Sequence, residues 1–496
     1  MKKLISRIKQ YKPSKYICYL YFFIPIFVSA ISRMDKENDI WFLLNHGKYV
    51  LENGFPIIEP FSMHKDFSFV MQQWLSSIIF YIGHSILGQY GILIVTQLVN
   101  ILILYFLYKL CMLLSENKFR LSIVISCITD VLLLVFMVPR PWIFTMLFLI
   151  ITLYIMELYY KKNNSKILYF LPLISILQIN FQSSMWFMIY LFMLPYIVCL
   201  IIDKIRNKRN NKIYRLLIII LLMFGVGLIN PYGIDNILYV FNSYGNQYID
   251  RVVYEMLPVS LLTSNGASII YSILFYFIFF VEFIVYSYGK KGKFELRHFF
   301  LFLGVTVLGL KNIRNIWLFM IGTIPFLASY LKEYFHELSI SEKKIKLTSK
   351  EQKKYLLIIL FLSVYTILFA YNVNKEFTID IEKGIDKICE SNNNNVVLYT
   401  NYDNGSYAEY RGLKPYIDTR AEVYIKSFNK KEDIMKEYYL VTRGYIKYEE
   451  FVDKYKFTHM LIMKNESIYK QAVKDEDYKV IFKDKKYVVL ERKNIM

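Results

Sequence analysis

Long apolar runs are the feature that most restricts how this chain can fold. They recur up to about residue 372, and several have the roughly 17 to 25 residues that a helix needs to cross about 30 Å of hydrocarbon. Hydrophobic residues make up 55% of the 496 positions, so most of the chain needs a bilayer to cover its apolar surface. The sequence therefore predicts a mainly α polytopic membrane protein.

The apolar runs predict about 11 transmembrane helices. They are placed at 16–32, 90–113, 121–138, 141–160, 167–180, 184–202, 213–229, 266–288, 297–312, 314–332 and 354–372. The stretch 71–88 is predicted to be an interfacial amphipathic helix instead, because its apolar residues share one face and its apolar core is short for a crossing. The opposite face holds the polar residues Gln72, Gln73, Ser76, Ser77 and His84.

The distribution of lysine predicts the orientation. The net charge of +20 would suit a nucleic-acid ligand, but the lysines cluster in short loops between spans, as the positive-inside rule requires. If 71–88 does not span and the N-terminus is cytoplasmic, every lysine-rich loop lies inside; if 71–88 does span, all of them lie outside. We therefore expect a multi-pass protein of the cell membrane with no nucleic-acid partner, an uncleaved N-terminal signal-anchor and an extracytoplasmic C-terminus.

Two domains are expected. Residues 1–372 form a transmembrane domain with a large first outer loop at 33–89, and residues 373–496 form a small extracytoplasmic α/β domain. In that tail, helices are predicted at 428–440 and 446–455. Strands are predicted at 396–400, 457–463, 478–484 and 486–493, and 415–424 is expected to be another strand or the C-terminal end of one.

Three acids at alternate positions follow the first span. Asp39 is the leading candidate for catalysis, because a carboxylate just outside a span can act as general base toward an acceptor hydroxyl or hold a divalent cation against a phosphate. The alternative is that Asp35, Glu37 and Asp39 only solvate a loop. Glu59, before a proline in the same loop, is either a second catalytic acid or a solvated turn residue.

Two arginines at predicted outer helix ends are candidates for binding a phosphate. Arg140 and Arg314 carry a permanent charge on a guanidinium whose shape matches phosphate oxygens, and Lys311 is a third cation nearby. Outward-facing arginines run against the positive-inside bias, which favours a specific role for these two. The alternative for Arg140 is an interfacial anchor.

Further polar residues complete the predicted site. The amides of Asn180 and Gln182 are suited to sugar hydroxyls, Glu255 is a further acid, and Asp418 and Arg420 in the tail are candidates for binding the acceptor. Helix capping, a turn or a structural ion pair explains each of these residues taken alone. Polar groups near hydrocarbon are costly, so their collection at one membrane face favours a shared cavity.

Other chemistries lack their sequence signatures. The chain has no G-x-x-x-x-G-K-[ST] loop for ATP and no G-x-S-x-G nucleophile elbow. Its five cysteines have neither a disulfide pattern nor metal-type spacing. A substrate must therefore reach the outer face already activated, which suits a lipid-phosphate donor whose departing phosphate needs charge neutralisation.

A series of short motifs along the chain, together with the predicted layout of spans and outer loops, resembles the pattern of a known family. They are Asp39, Trp41 and Gly47; Pro60-Phe61-Ser62 with Trp74-Leu75; Arg140-Pro141; Asn180; Asn230-Pro231 with Gly233; Glu255 with Pro258; Arg314-Asn315; and Gly405, Tyr407, Asp418 and Arg420. The chain resembles the integral membrane glycosyltransferases of the GT-C fold, such as protein mannosyltransferases and aminoarabinose transferases. It resembles more closely a group of bacterial membrane proteins with the same landmarks.

The resemblance implies a polyprenyl-phosphate-linked sugar as donor on the extracytoplasmic side. It implies Asp39 as the catalytic or metal-binding acid, and Arg140 and Arg314 as phosphate contacts. The sequence departs from the family in two places: alternating acids replace an adjacent acid pair, and Gln182 stands where a histidine is expected near Asn180.

We therefore expect a membrane glycosyltransferase of the hexosyltransferase type, acting on an extracytoplasmic glycan, lipid or protein acceptor. A divalent cation is left open as cofactor. The alternatives are a transporter or flippase of a lipid-linked glycan and a non-catalytic envelope assembly protein. Transporters tend to place charges near the bilayer midplane within repeated halves, and this sequence has no internal repeat.

Overall fold

The fold is mainly helical and ends in a small sheet. The computed structural model describes residues 38–162, 164–206, 211–262, 266–288, 295–334, 381–391 and 396–493. Up to residue 334 the helices are α1 Asp39–Asn53, α2 Trp74–Leu87, α3 Gln89–Leu114, α4 Phe119–Leu133, α5 Trp142–Lys162, α6 Phe170–Phe181, α7 Trp186–Arg206, α8 Lys212–Val226, α9 Ile234–Ser243, α10 Gln247–Val252, α11 Gly266–Tyr288, α12 Leu296–Lys311, α13 Ile316–Gly322 and α14 Ile324–Tyr334.

The predicted spans on described residues coincide with helices, but their number is not confirmed. Among the described residues, four helices are long and apolar enough to cross a membrane: Gln89–Leu114, Trp142–Lys162, Ser183–Arg206 and Ser268–Val285. Two predicted spans, 16–32 and 354–372, lie outside the described residues, as do Asp35 and Glu37. The chain is thus a membrane protein by its apolar helices, and the figure of about 11 spans stays a prediction.

The predicted first outer loop contains two helices. Helix α1 was not expected, yet Leu43, Leu44, Gly47 and Val50 are buried at helical spacing, and Gly54, with a φ of 80°, ends the helix. Helix α2 has 14 residues, or about 21 Å at 1.5 Å per residue, which is short for a crossing.

Helix α2 turns its small polar side chains toward the protein. Ser76 and Ser77 are buried against neighbouring helices, whereas Ile82 and Ile86 are exposed. The expected division into two faces therefore exists, and its apolar face is the exposed one. This is the arrangement that lipid contact requires.

Gly47 allows α1 and α2 to cross closely. A Cβ at this position would overlap the carbonyl oxygen of Ser77 and approach Tyr81. Replacing Gly47 with alanine is therefore expected to lower the free energy of unfolding by about 1–3 kcal/mol, because two backbones would have to separate. The measurement is the thermal melting of the purified protein in detergent.

The matched control is Gly304→Ala in α12, where an added Cβ meets no atom within 4 Å. It should melt at or slightly above the wild-type temperature, since alanine is the better helix former. Equal melting of the Gly47 variant and the wild type would show that α1 and α2 do not cross in this way.

The tail forms a four-stranded sheet with helices around it. The elements are α15 Glu382–Glu390, β1 Leu398–Tyr399, α16 Gly405–Tyr410, α17 Lys426–Asn429, α18 Ile434–Thr442, α19 Tyr448–Tyr455, β2 His459–Met463, α20 Tyr469–Ala472, β3 Tyr478–Lys483 and β4 Tyr487–Arg492. The strand order is β1-β2-β4-β3, with β1 parallel to β2 and the other pairs antiparallel.

The predicted strand at 415–424 is wrong. Only a single bridge joins Leu398 to Pro415, and a 3-10 turn covers Ala421–Tyr424. The carboxylate of Asp418 accepts hydrogen bonds from the backbone N–H and from Nε of Arg420, both at 2.9 Å. Such a local bond competes with strand pairing and turns the chain.

The tail shares its core with the first outer segment. One cluster of buried residues joins Val50, Phe61 and Phe69 to Tyr416 and Tyr424 of the tail. Trp41 of α1 also packs against Tyr407 and Tyr410 of α16, with ring centroids 5.1 and 4.9 Å apart. The tail is therefore held against the ends of the helices.

Candidate active site

A cavity of about 890 Å³ lies where the tail meets the ends of the helices. It is bordered by the first turn of α1, the start of α5, the segment 239–258 and the 3-10 turn Ile313–Asn315, with the tail closing one side through residues 402–403 and 419–422. Of the residues predicted from the sequence, Asp39, Arg140, Gln182, Glu255, Lys311, Arg314 and Arg420 line it. Asn180, Glu59 and Asp418 are not among its lining residues.

Arg140 stands at the centre of the charged groups. Pro141 follows it at the entry to α5, a position that suits proline because the first helical N–H groups have no partner within the helix. Nε of Arg140 lies 3.2 Å from Oδ2 of Asp39, and Nη1 lies 2.9 and 3.1 Å from the two carboxylate oxygens of Glu255. The side chains are 14, 22 and 14% exposed for Arg140, Asp39 and Glu255, so the cluster stays accessible from the cavity.

Trp142 brings the second arginine beside the first. Its ring lies 4.6 Å from the guanidinium carbon of Arg140 and 5.8 Å from that of Arg314. Its Nε1 donates to the carbonyl of Phe136 at 2.7 Å, which fixes the ring. Nε of Arg314 is buried without a hydrogen-bond partner in the described part of the chain. A buried donor of this kind is satisfied when an anion enters.

The two predicted amides are held by the protein. Oδ1 of Asn180 accepts from Nε1 of Trp74 at 2.9 Å, and Nδ2 of Asn180 donates to two backbone carbonyls. Oε1 of Gln182 accepts from Thr145 at 2.8 Å. Asn180 therefore links α2 to α6, which matches the capping and turn alternative, and Gln182 reaches the cavity wall.

Arg420 forms a buried ion cluster with three carboxylates. It pairs with Asp418, with Glu59 at 2.9 Å and with Glu409 at 3.3 Å, and all four side chains are 2% exposed or less. Glu59 also accepts from the backbone N–H groups of Phe61 and Ser62. The pair of Glu59 with Arg420 thus joins the first outer segment to the tail. Asp418 and Arg420 form the structural ion pair that was the alternative to acceptor binding.

Two tail acids at the cavity were missed as site residues. Asp403 is exposed toward the cavity, and Glu422 lines it further along. Desolvation within the cavity, together with the negative charge of Asp39, raises the pKa of Asp403. Burial raises the pKa of Glu422. The signal for Asp403 was its place directly after the predicted strand 396–400, since residues at the carboxyl end of a parallel strand often face a site.

The described residues offer no ready set of metal ligands. No three His, Cys, Asp or Glu side chains come together in the described ranges in a way that would hold a metal ion. Asp39, the predicted metal ligand, is already paired with Arg140. We therefore assign no step to a metal.

The chain has likenesses among solved structures but none among family models or curated sequences. No protein-family model matches the chain, and no curated protein matches its sequence. Among solved structures, the Archaeoglobus fulgidus oligosaccharyltransferase in complex with Zn and sulfate is similar over 89% of this chain and 68% of its own, with a TM-score of 0.51 and 12% identity.

Two further solved structures are similar at lower scores. The same oligosaccharyltransferase tethered to an acceptor peptide covers 91% of this chain and 69% of its own, with a TM-score of 0.47 and 12% identity. ArnT from Cupriavidus metallidurans bound to undecaprenyl phosphate covers 96% of this chain and 98% of its own, with a TM-score of 0.49 and 10% identity. The likeness to the oligosaccharyltransferase shows that this chain has the GT-C fold.

Proposed function

We propose that this protein is a membrane glycosyltransferase that moves a sugar from a polyprenyl-phosphate donor to an extracytoplasmic acceptor. One observation carries the proposal: Arg140 and Arg314 flank Trp142 at a single cavity that also holds Asp39 and Glu255. The GT-C fold supports it. Two guanidinium groups beside carboxylates suit a reaction in which a phosphate departs while a proton is taken up.

The reaction proceeds by one displacement at the anomeric carbon. The acceptor oxygen forms a bond to that carbon as its bond to the phosphate oxygen breaks, and the hydroxyl proton passes to a carboxylate of the cavity. The electron pair of the broken bond stays on the lipid phosphate. Arg140, Arg314 and Lys311 neutralise the charge that develops there.

Asp39 acts on the reaction through Arg140. Because its carboxylate is engaged by that guanidinium at 3.2 Å, we assign it to positioning Arg140, with Glu255 holding the same group from the other side. Gln182 lies at the cavity wall, where it can contact the donor sugar. Arg420, Asp418 and Glu59 shape the acceptor side by fixing the tail.

The proposed orientation follows the charge distribution. Residues 1–372 form the transmembrane domain, with 33–89 as its first outer loop, and 373–496 form the extracytoplasmic domain. The N-terminus is cytoplasmic, so the cavity opens at the outer face of the cell membrane. A polyprenyl chain then lies in the bilayer while its phosphate reaches the arginines.

The proposal is tested by sugar transfer in membranes that contain the protein, using a panel of polyprenyl-phosphate sugars. Wild-type protein should transfer at least one sugar. Asp39→Asn should transfer it about 10- to 150-fold more slowly, the cost of one charge-assisted hydrogen bond, and Asp39→Glu should recover part of the rate. Equal rates for wild type and Asp39→Asn would remove Asp39 from the reaction.

A further inference from the structure

Asp403 projects from a turn that the rest of the tail holds in place. The turn follows β1 and leads into α16. Asn401 accepts from the N–H of Asn404 at 3.0 Å, and Tyr402 donates its hydroxyl to the carbonyl of Thr419 at 2.8 Å. A side chain on Gly405 would overlap the carbonyl of Ile417, so the turn packs directly on the next segment. The position of Asp403 is therefore set by the fold of the tail.

The carboxylate of Asp403 differs from those of Asp39, Glu255 and Glu422, which are already bonded. Asp250 of α10 is a second exposed acid of the cavity, and Asp403 is preferred because the charge of Asp39 acts on it. Asp39 and Glu255 are paired with Arg140, and Glu422 interacts with the hydroxyl of Tyr239. Asp403 is exposed to the cavity, and no hydrogen bond or ion pair joins its side chain to another described residue. It is therefore available to a substrate without first breaking an ion pair.

The electrostatics of the cavity favour a proton on Asp403. Desolvation within the cavity is the larger cause that raises its pKa, and the charge of Asp39 adds to it. A carboxylate with a raised pKa is a stronger base than one paired with arginine, because its pKa lies closer to neutral pH. Asp39 thus affects both ends of the reaction: it holds Arg140 and it makes Asp403 more basic.

We propose that Asp403 is the catalytic base, which takes the proton from the acceptor hydroxyl as the acceptor oxygen bonds to the anomeric carbon. This inference rests on the proposed function. In the same step the bond between that carbon and the phosphate oxygen breaks, and the leaving lipid phosphate keeps the electron pair. Asp403 ends the step protonated and returns its proton to water once the product leaves.

The proposal assigns the two halves of the site to two parts of the chain. The helical part supplies Arg140 and Arg314 for the leaving phosphate, and the tail supplies the base for the acceptor. A proton acceptor on the tail side places the acceptor hydroxyl between Asp403 and the donor sugar. The acceptor therefore enters along the wall of the cavity formed by residues 402–403 and 419–422.

The test is the rate of transfer against pH for wild type and Asp403→Asn, with the donor that wild type uses. Asp403→Asn should lose about 10²- to 10⁴-fold in kcat with little change in the KM of the donor. The wild-type rate should fall as the pH drops through the pKa of Asp403, because only the ionised carboxylate accepts a proton. This acid limb should be lost in Asp403→Asn and kept in Asp39→Asn.

Two further variants separate chemistry from folding. Sodium formate should restore part of the rate of Asp403→Ala, since a small carboxylate can occupy the vacated space. The matched control is Asp477→Asn, an exposed acid of the tail paired with Arg492 at 3.6 Å, which should keep the wild-type rate and pH profile.

The outcomes are distinguishable. Transfer by Asp403→Asn at the wild-type rate, or with the wild-type acid limb, overturns the role of Asp403 and leaves the proposed function standing. A slow Asp403→Ala protein that formate does not restore also counts against a base at this position. Absence of transfer by wild type with every donor overturns both proposals.

Discussion

Replacing Arg140 with alanine should reduce sugar transfer by about 10²- to 10³-fold in kcat/KM, the effect of removing one preorganised group that stabilises developing charge. Arg140 is the residue on which both neighbouring carboxylates converge, with Asp39 at 3.2 Å and Glu255 at 2.9 Å. Its loss would leave those two acids facing the lipid phosphate without a cation between them. The repulsion would add to the lost stabilisation.

Arg140→Lys separates charge from shape. Lysine keeps the positive charge but cannot hold two carboxylates and a phosphate with one planar group, so it should recover only part of the rate. Arg411→Ala is the matched control. Arg411 pairs with Asp386 at 2.7 Å on the tail surface, where a pair contributes about 0–1 kcal/mol. Full activity of Arg140→Ala would show that the lipid phosphate binds elsewhere.

Replacing Arg420 with methionine should be the most destabilising of these changes. Arg420 is the cation shared by Glu59, Glu409 and Asp418, and all four side chains are almost fully buried. Removal of one partner of a buried ion cluster costs about 3–5 kcal/mol, because the remaining charges lose their compensation. We expect a lower melting temperature and a tail that separates more readily from the helical part, measured by limited proteolysis.

The pH dependence identifies the cause of this destabilisation. Burial raises the pKa of Glu409 even in the wild type, with Arg420 opposing that rise. Without Arg420 the folded state binds a proton that the unfolded state releases, so the stability of the variant should fall as the pH rises above the ordinary range of a glutamate. The loss relative to wild type should therefore be smaller at pH 5 than at pH 8.

Arg492→Met is the control for that series. Arg492 is a partly exposed arginine of β4 whose guanidinium lies 3.6 Å from Asp477. It should change the melting temperature little and show no comparable pH trend. Equal melting of Arg420→Met and Arg492→Met would show that the buried cluster does not hold the tail in place.

The helical part was predictable because hydrophobic length is a direct signal. Predicted spans such as 90–113 and 141–160 match Gln89–Leu114 and Trp142–Lys162 closely, since a run of apolar residues has few alternatives to a helix in a bilayer. Helix α1 was missed because its apolar residues share a short amphipathic segment with Asn45, His46 and Lys48. The side chains of α1 are buried by α2 and by the tail. Both lie outside the local sequence of α1, so the local pattern does not indicate this burial.

The candidate site was predictable in part. Position at helix ends indicated Arg140 and Arg314, and the structure places both beside Trp142. The partners of Glu59 were not predictable, because Arg420 lies 361 positions away and only the fold brings them together. Asp403 was missed as a site residue. Its place after the predicted strand 396–400 was the available signal, but neither its exposure to the cavity nor its nearness to Asp39 can be inferred from local sequence.

The location of the charges also favours the proposed glycosyltransferase over a transporter. Arg140 and Arg314 lie at helix ends next to the tail, whereas a transporter is expected to hold its substrate near the bilayer midplane on broken helices. The buried cluster of Glu157 with Arg297 and His298 lies within the helices, but its groups bond to one another at 2.6 to 2.9 Å. A network satisfied in this way links α5 to α12 rather than binding a substrate.

The central claim is tested most directly by following one donor in proteoliposomes and measuring both products. The account predicts that wild-type protein releases one polyprenyl phosphate for each sugar transferred, and that Arg140→Ala releases almost none. Movement of the intact lipid-linked sugar across the bilayer, with no release of polyprenyl phosphate by wild type, would contradict the account.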